Sequence, residues 1–297
     1  MSQIVHRGRR RAIMLLPLAW LGLFFLVPFA MVVMISLAEP TSGIPPYIGP
    51  IIWGENGLEF RFRFDSYKML VEDSYYIDAF LQSVRIAGVS ALICLVLGYP
   101  MAYAIARAQP TQRLVLLTLI VLPFWTSFLI RVYAWMGILG TTGHLNNLLI
   151  ALGVIDQPLA LLYSEFAVHL GIVYSYLPFA ILPIYAVLER QDEALLDAAA
   201  DLGCRPFAAF LRVTLPMSIP GVVAAALLVF VPALGEYVIP ELLGASDTQL
   251  IGRLLWSEFF GSRDWPLASA IVVVLLAVVI VPIHVLARPA GAAGGGA

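Results

Sequence analysis

Four ionisable side chains interrupt the long apolar segments of this 297-residue sequence: Arg85, Arg131, Glu165 and Glu236. A charged group in such a segment is costly unless it faces a partner or a water-lined cavity. Carboxylates near aromatic rings suit a cation, which is attracted both by the negative charge and by the ring faces. These residue types therefore indicate the passage of a cation, with an internal ion pair as the simpler alternative.

Aromatic residues surround the charge in the stretch PFWTSFLIRVYAWMGILG, residues 123–140, where Trp125, Tyr133 and Trp135 flank Arg131. In a second stretch, LLVFVPALGEYVIPELLG, residues 227–244, prolines and glycines flank Glu236 and Tyr237. Proline and glycine so close together predict a broken or bent helix, whose freed backbone groups must face protein or a cavity.

The candidate pathway residues are Trp125, Arg131, Tyr133, Glu165, Tyr174, Glu236 and Tyr237. The alternative is that Glu236 or Glu165 merely neutralises Arg131. For Tyr174 and Tyr176, packing in the core or at an interface is the favoured interpretation.

A second polar feature is the segment DEALLDAAADLGCRPFAAFLRVTLP, residues 192–216, which we call the knuckle. Leu195, Ala199 and Leu202 recur at helical spacing, and Gly203 stands where a helix would stop. Pro206 then suits the first turn of a second short helix. The pattern predicts a helix, a glycine break and a helix, exposed to water between two membrane spans.

The sequence lacks the motifs of several kinds of catalytic and binding site. A phosphate-binding loop needs Gly-Lys followed by Ser or Thr, but the single lysine, Lys68, follows Ser66-Tyr67. Neither H-E-x-x-H nor G-x-S-x-G occurs, and no basic, aromatic-rich patch points to nucleic acid. Cys94 and Cys204 lie in different surroundings, so neither a disulfide nor a metal pair is expected.

Composition predicts an integral membrane protein, because 61% of the residues are hydrophobic and only 12% are charged. Apolar runs of about 20 residues or more are long enough to cross a bilayer. The predicted spans cover residues 12–38, 80–106, 114–139, 164–188, 217–240 and 266–287.

Arginines set the expected orientation, since positive residues favour the cytoplasmic side. The cluster in segment 1–11 predicts a cytoplasmic N-terminus; a cleaved signal peptide ending at Ser36-Leu37-Ala38 is the alternative, but the apolar run is too long for one. Both termini are then cytoplasmic, around a membrane domain at 12–288. Its knuckle region, 190–216, is expected on the cytoplasmic side. The tail 289–297 is predicted to be disordered.

The outer loop, residues 39–79, is rich in acidic residues. Phe60, Phe62 and Phe64 alternate with charged residues in a strand-like pattern, and Asp65 to Asp78 predicts a short amphipathic helix. Its excess acid suits docking of a periplasmic partner or attraction of a cationic solute, and an ordinary solvated loop is an equal alternative.

The knuckle resembles the coupling helices of permease subunits in binding-protein-dependent ABC importers. The matching residues are Asp197, Ala198, Ala199, Gly203, Val213, Leu215 and Pro216, with Asp197 and Val213 replacing the usual Glu and Ile. The resemblance implies an all-α integral membrane protein with six transmembrane helices and the type I ABC importer permease fold. It also implies that these residues couple to a cytoplasmic ATPase.

Longer segments, among them residues 123–140 and 231–244, look like the polyamine branch of that family. Within that branch, residues 145–158 together with residues 231–244 are similar to the first permease subunit of putrescine-type importers. That likeness implies a second homologous permease, two ATPase subunits that bind ATP and Mg, and a periplasmic polyamine-binding protein, in a bacterial inner membrane. This chain itself would bind no cofactor. Import of spermidine or another organic cation remains an alternative, as do an ion-coupled secondary transporter and a non-transport membrane scaffold.

Overall fold

The computed structural model describes residues 14–54 and 57–293 and divides into two compact units. The first unit holds the described residues up to Ile77 together with Leu255–Ala277. The second unit holds Asp78–Leu254 and the described residues from Val278 onward. The N-terminal segment 1–11 lies outside the described residues, so its expected cytoplasmic position stays a prediction.

The first unit combines membrane-type helix with two small hairpins. Its elements are α1 (Met14–Ser36), β1 (Glu39–Pro40), β2 (Tyr47–Ile48), β3 (Ile51–Gly54), β4 (Gly57–Phe60), α2 (Asp65–Glu72) and the first residues of α3 (Ser74–Ala106). Strands β1 and β2 pair antiparallel, and so do β3 and β4. A π-helical turn at Ser257–Ser262 and the start of α12 (Trp265–Ala293) complete the unit.

The outer loop is folded, and its elements differ from the sequence prediction in two places. The strand ends at Phe60, so the alternation through Phe64 does not extend it. The amphipathic helix ends at Glu72 rather than Asp78, because the Asp73 carboxylate accepts the Tyr75 amide (2.9 Å) and α3 starts at Ser74.

Polar and aromatic contacts hold this loop against the rest of its unit. The Ser36 and Tyr67 hydroxyls lie 2.7 Å apart, and Arg63 pairs with Glu39 at 3.1 Å. The rings of Tyr47 and Trp265 lie 6.0 Å apart. The loop is therefore an ordered cap over the ends of α1 and α12.

The second unit contains the remaining helices. They are the rest of α3, α4 (Pro110–Val121), a 3₁₀ turn (Leu122–Trp125), α5 (Phe128–Leu139), α6 (His144–Ala151), α7 (Glu165–Leu188), α8 (Ala194–Asp201), α9 (Pro206–Leu234, with a π-helical turn at Phe210–Thr214), α10 (Val238–Leu243) and the first residues of α11 (Ile251–Trp256).

The core of the second unit lies where α7 and α9 pack together against α3. Cys94, Ile181, Ile184 and Val229 are buried there. Gly221 permits the close approach, since a Cβ at this position would lie only 2.9 Å from the Pro183 carbonyl oxygen. Small residues at such contacts are typical of helices that associate within a membrane.

Within the described residues, four helices are long and apolar enough to cross a membrane: α1, α3, α7 and α9. The residues from Pro110 to Ala151 form two helical arms bent by 90°, which allows a fifth span, and Trp265–Val281 is a shorter apolar helix. The mostly helical membrane fold is as predicted, while the count of six spans and the cytoplasmic termini stay predictions.

Two segments depart from the predicted spans. The span at 114–139 is broken at Thr126 and Ser127, whose backbone is extended (ψ 152° and 137°) just after Pro123. Helix α12 continues to Ala293, so residues 289–293 are helical where a disordered tail is predicted. Three of these five residues are alanines, which favour a helix, and the helix continues past Pro289 and Gly291, which do not. Residues 294–297 lie outside the described residues.

Candidate functional site

The knuckle has the helix, glycine break and helix that its sequence predicts. Helix α8 ends in a Schellman motif: the Gly203 amide donates to the Ala200 carbonyl (2.8 Å) and the Cys204 amide to the Ala199 carbonyl (3.0 Å). Gly203 takes the left-handed conformation that this motif requires, with φ of +74°. Glycine is therefore required by the backbone conformation and not by a lack of space, since nothing lies within 4 Å of where its Cβ would be.

The second helix of the knuckle is not a separate short element. Pro206 occupies the first turn as expected, but the helix runs on through the π-helical turn at Phe210–Thr214 to Leu234. Val213 lies in that turn, and Leu215 and Pro216 continue α9. A displacement of the knuckle would therefore act directly on a membrane helix.

Most of the predicted coupling residues lie at the surface of this chain. Asp197, Ala198, Gly203 and Pro216 are exposed, and Ala199, Val213 and Leu215 are half-buried. Two large apolar side chains are also open to solvent, Leu202 (89% exposed) and Phe207 (73% exposed). Exposed apolar groups beside an acidic residue at the polar end of a membrane protein suit the binding of another protein.

Two ion pairs connect the region where α3 ends and α4 starts to the end of α7 and to the knuckle. Arg107, just after α3, donates to Glu193 of the knuckle (2.8 Å), and Arg113, in the first turn of α4, donates to Glu189 at the end of α7 (2.7 Å); we call these four residues the polar junction. Arg113 also donates to the Ala106 carbonyl at the end of α3 (2.9 Å). These pairs place the turn after α3 and the knuckle at the same end of the unit.

Aromatic packing reinforces this connection. The Phe210 ring stands edge-on to Tyr99 and Tyr103, with centroids 5.7 Å away from each. The Tyr99 hydroxyl lies 2.8 Å from the Ser218 hydroxyl. The base of α9 is thus fixed to α3 as well as to the knuckle.

Arg85 and Glu165 form an ion pair between α3 and α7. One turn further along α7, Nδ1 of His169 lies 2.8 Å from the Ser90 hydroxyl. The Glu165 carboxylate therefore already has a partner in this chain, Arg85, and the alternative that it neutralises Arg131 is wrong.

Glu236 occupies the predicted break, since α9 ends at Leu234 and α10 starts at Val238. The residue is 9% exposed. Its carboxylate accepts hydrogen bonds from the Tyr176 hydroxyl (2.5 Å) and from the amides of Val238 (3.1 Å) and Ile239 (3.4 Å). It too is not paired with Arg131. Tyr237 lies half-buried in the same break.

An aromatic row connects Arg131 with Glu236. The Arg131 guanidinium lies 5.0 Å from the Phe124 centroid, and Phe124 stands edge-on to Phe179 at 5.4 Å. Phe179 is 6.1 Å from Tyr176, which donates to Glu236. The candidate charges thus lie at the two ends of a row of rings. The sequence analysis assigns Tyr176 to packing and misses Phe124 and Phe179; the spacing of Tyr176 and Phe179 on α7 was the only local signal for the row.

The other candidate pathway residues do not join this row. Trp125 is 78% exposed and Tyr133 is 56% exposed. Tyr174 packs edge-on against Trp135 with centroids 5.4 Å apart, in line with the packing interpretation. It also lines an apolar cavity of about 420 Å³ between α3, α4 and α7.

No group of three or more His, Cys, Asp or Glu side chains that could hold a metal ion occurs among the described residues. Cys94 is buried and Cys204 half-buried, and neither forms a disulfide.

Residues 94–287 match the family described as binding-protein-dependent transport system inner membrane component. The chain belongs to this family. The match begins within α3, covers the knuckle and α9, and ends in α12.

Relatives and solved structures agree with this membership. The family member "spermidine/putrescine transport system permease protein PotB" of Haemophilus influenzae is 37% identical over 94% of this chain and 94% of its own length. The Escherichia coli protein of the same name is 37% identical over 84% of this chain and 86% of its own. A chain of a bacterial alginate ABC transporter, bound to a pentasaccharide-loaded periplasmic protein, shares the fold: its TM-score is 0.72 at 19% identity, over 96% of this chain and 95% of that one.

Proposed function

We propose that this chain is a membrane-spanning permease subunit of an ATP-driven polyamine importer. The observation that carries the proposal is the 37% identity over 94% of both chains to a permease named for spermidine and putrescine transport. Identity at this level along the whole length supports the same substrate class more strongly than the shared fold does, because one fold serves many substrates.

Putrescine is the substrate we favour, with spermidine as the alternative. Both are cations at neutral pH, so both suit a carboxylate next to aromatic faces. Glu236, Tyr176 and Phe179 offer that combination, and Arg131 at the opposite end of the row would repel an ammonium group. We therefore propose that substrate passes on the Glu236 side of the row. Glu165, Tyr174 and Tyr237 remain candidates for the same pathway, and Trp125 and Tyr133 are weaker ones.

In this proposal the knuckle, with Asp197, Ala198, Ala199, Gly203, Val213, Leu215 and Pro216, sits in a groove of a cytoplasmic ATPase. Closure of the ATPase dimer on ATP and Mg pulls the knuckle, and α9 carries the displacement into the membrane because it starts within the knuckle. The polar junction passes it to α3 and α4. Alternating access then needs two packed arrangements of similar free energy.

The complete importer has further subunits in the bacterial inner membrane. A second homologous permease forms the other half of the pathway, two ATPase subunits bind the knuckles, and a periplasmic binding protein delivers the polyamine. The ordered outer loop, with its acidic residues, is the surface we propose for contact with that binding protein.

Uptake in cells tests the substrate class. A strain without its own polyamine uptake, given the complete transporter, should accumulate labelled putrescine, and an excess of unlabelled putrescine should compete better than an equal excess of spermidine. Asp197→Arg, which leaves the membrane helices unchanged, is the matched negative control. Uptake that follows the proton gradient and persists in the Asp197→Arg strain would support a secondary transporter instead.

A further inference from the structure

The break between the 3₁₀ turn and α5 exposes non-helical backbone in a segment that belongs in the membrane. The helix Pro110–Trp125 starts beside the polar junction and reaches roughly 25 Å, which is less than the bilayer core of about 30 Å. Thr126 and Ser127 are exposed there. Lipid does not satisfy non-helical backbone, so this surface must be covered by protein or line a water-filled cavity.

Arg131 lies one turn into α5, beside this break. Its Nε and Nη1 atoms are buried and have no hydrogen-bond acceptor among the described residues. The rings of Phe124 and Phe128 lie 5.0 and 5.7 Å from the guanidinium. Ring faces attract a cation but do not cancel its charge, so the guanidinium lacks a counter-ion.

The backbone adds to the positive potential at this place. Helix α5 is 12 residues long, and Ser127 at its N-cap makes no side-chain hydrogen bond to the first-turn amides. Those amides and the helix dipole favour an anion at the N-terminus. An arginine fork one turn further on matches a carboxylate in charge and shape.

The carboxylates of the neighbouring helices are already engaged. Glu165 pairs with Arg85, Glu241 pairs with Arg253 at 2.7 Å, and Glu236 accepts Tyr176 and two backbone amides. The anion that neutralises the Arg131 guanidinium therefore comes from another molecule. A polyamine cannot supply it, because polyamines are cations.

We infer that the second permease subunit supplies a carboxylate, from an Asp or Glu in one of its apolar segments, that pairs with Arg131 at the first turn of α5. The Thr126–Arg131 surface is then a contact between the two permeases. This inference rests on the proposed function, which provides the second permease. Cutting one side of a buried ion pair leaves the other charge unpaired, so this contact should be important for assembly.

The test is copurification of the second permease with tagged Arg131→Glu in detergent. We expect assembly to weaken by at least about 30-fold, while the variant is inserted in the membrane as abundantly as the wild type. The assembly of Arg131→Leu should be weaker than that of the wild type and stronger than that of Arg131→Glu. The matched control is the double variant Arg85→Leu/Glu165→Leu, which removes an ion pair internal to this chain and should assemble normally.

A charge exchange identifies the source of the anion. With Arg131→Glu in this chain, each Asp or Glu in the partner's apolar segments is changed to Arg in turn, and one of these changes should restore copurification. Restoration by none of them would overturn the inference. So would normal assembly of Arg131→Glu together with loss of a bound anionic phospholipid in native mass spectrometry, since the counter-ion would then be a lipid. If the wild-type chain itself copurifies with no second permease, the proposed function fails instead.

Discussion

At the scale of single residues, Gly203 is the position whose chemistry is most tightly determined. Its φ of +74° closes α8, and no neighbouring atom restricts a side chain there. The requirement is therefore one of backbone conformation alone, and it distinguishes substitutions that accept the left-handed region from those that do not.

We predict that Gly203→Val abolishes uptake and that Gly203→Asn retains most of it. The left-handed conformation costs an ordinary L-residue about 1–2 kcal/mol and a β-branched one more, whereas Asn adopts it readily. Labelled putrescine uptake, normalised to the amount of protein in the membrane, is the measurement. Equal uptake by the two variants would show that the Schellman turn is not required for coupling.

The charged residues within the membrane segments show what a sequence can and cannot predict at this scale. The sequence identifies Arg85, Arg131, Glu165 and Glu236 as groups that need partners, because the free-energy cost of a charged side chain in an apolar segment can be recognised from the segment itself. It does not identify the partners. Arg85 and Glu165 are 80 positions apart, and only the packing of α3 against α7 brings them together.

At the scale of elements, the polar junction contains one strong and one weak connection. Arg113 bridges Glu189 and two backbone carbonyls, those of Ala106 and Ala108. Arg107 pairs with Glu193, whose side chain is 77% exposed. An exposed ion pair contributes about 1 kcal/mol or less, so most of the connection depends on Arg113.

We predict that Arg113→Leu destabilises the purified complex and lowers uptake several-fold, because three hydrogen bonds at the ends of α3 and α7 are lost together. A loss of about 1–3 kcal/mol is expected, since hydrogen bonds to a charged group are worth more than neutral ones. Glu193→Gln is the control and should change stability by less than about 0.5 kcal/mol. Thermal unfolding of both variants in detergent checks this, and equal effects would contradict the assigned roles.

The contact between α7 and α9 predicts a second effect at this scale. A Cβ on Gly221 would lie 2.9 Å from the Pro183 carbonyl and 3.2 Å from the Ile184 Cα, so both helices must shift. We predict that Gly221→Ala costs about 1–3 kcal/mol, as for overpacking in a well-packed core. Gly88→Ala, where no atom lies within 4 Å of the added carbon, should be neutral or slightly stabilising in the same unfolding assay.

The bend at residues 122–127 shows why element boundaries in this chain are only partly predictable. Gly203 and Pro206 each indicate a single local conformation, the end of one helix and the first turn of the next. The helix, glycine break and helix of the knuckle can therefore be predicted from them. Proline within an apolar run is ambiguous: Pro100, Pro178 and Pro220 lie inside continuous helices, whereas the helix breaks just after Pro123. Neighbouring helices decide between these outcomes, and a single sequence does not reveal them.

At the scale of the whole molecule, the second unit holds two kinds of polar site. The knuckle and polar junction gather the segments predicted to face the cytoplasm. The aromatic row between Arg131 and Glu236 lies among the apolar helices. Helix α9 belongs to both, since it starts in the knuckle and ends at Leu234, two residues before Glu236. This continuity is the structural basis for the proposed coupling.

The most direct test of that coupling is the ATPase activity of the purified complex in lipid, with the periplasmic binding protein loaded with putrescine or with spermidine. We predict that an ATPase copurifies, that the putrescine-loaded protein stimulates hydrolysis most, and that Asp197→Arg in the knuckle abolishes the stimulation. Asp201→Arg, one turn further along α8, is the control and should retain most of it. Absence of an ATPase, or hydrolysis that ignores both the loaded binding protein and Asp197→Arg, would contradict the account.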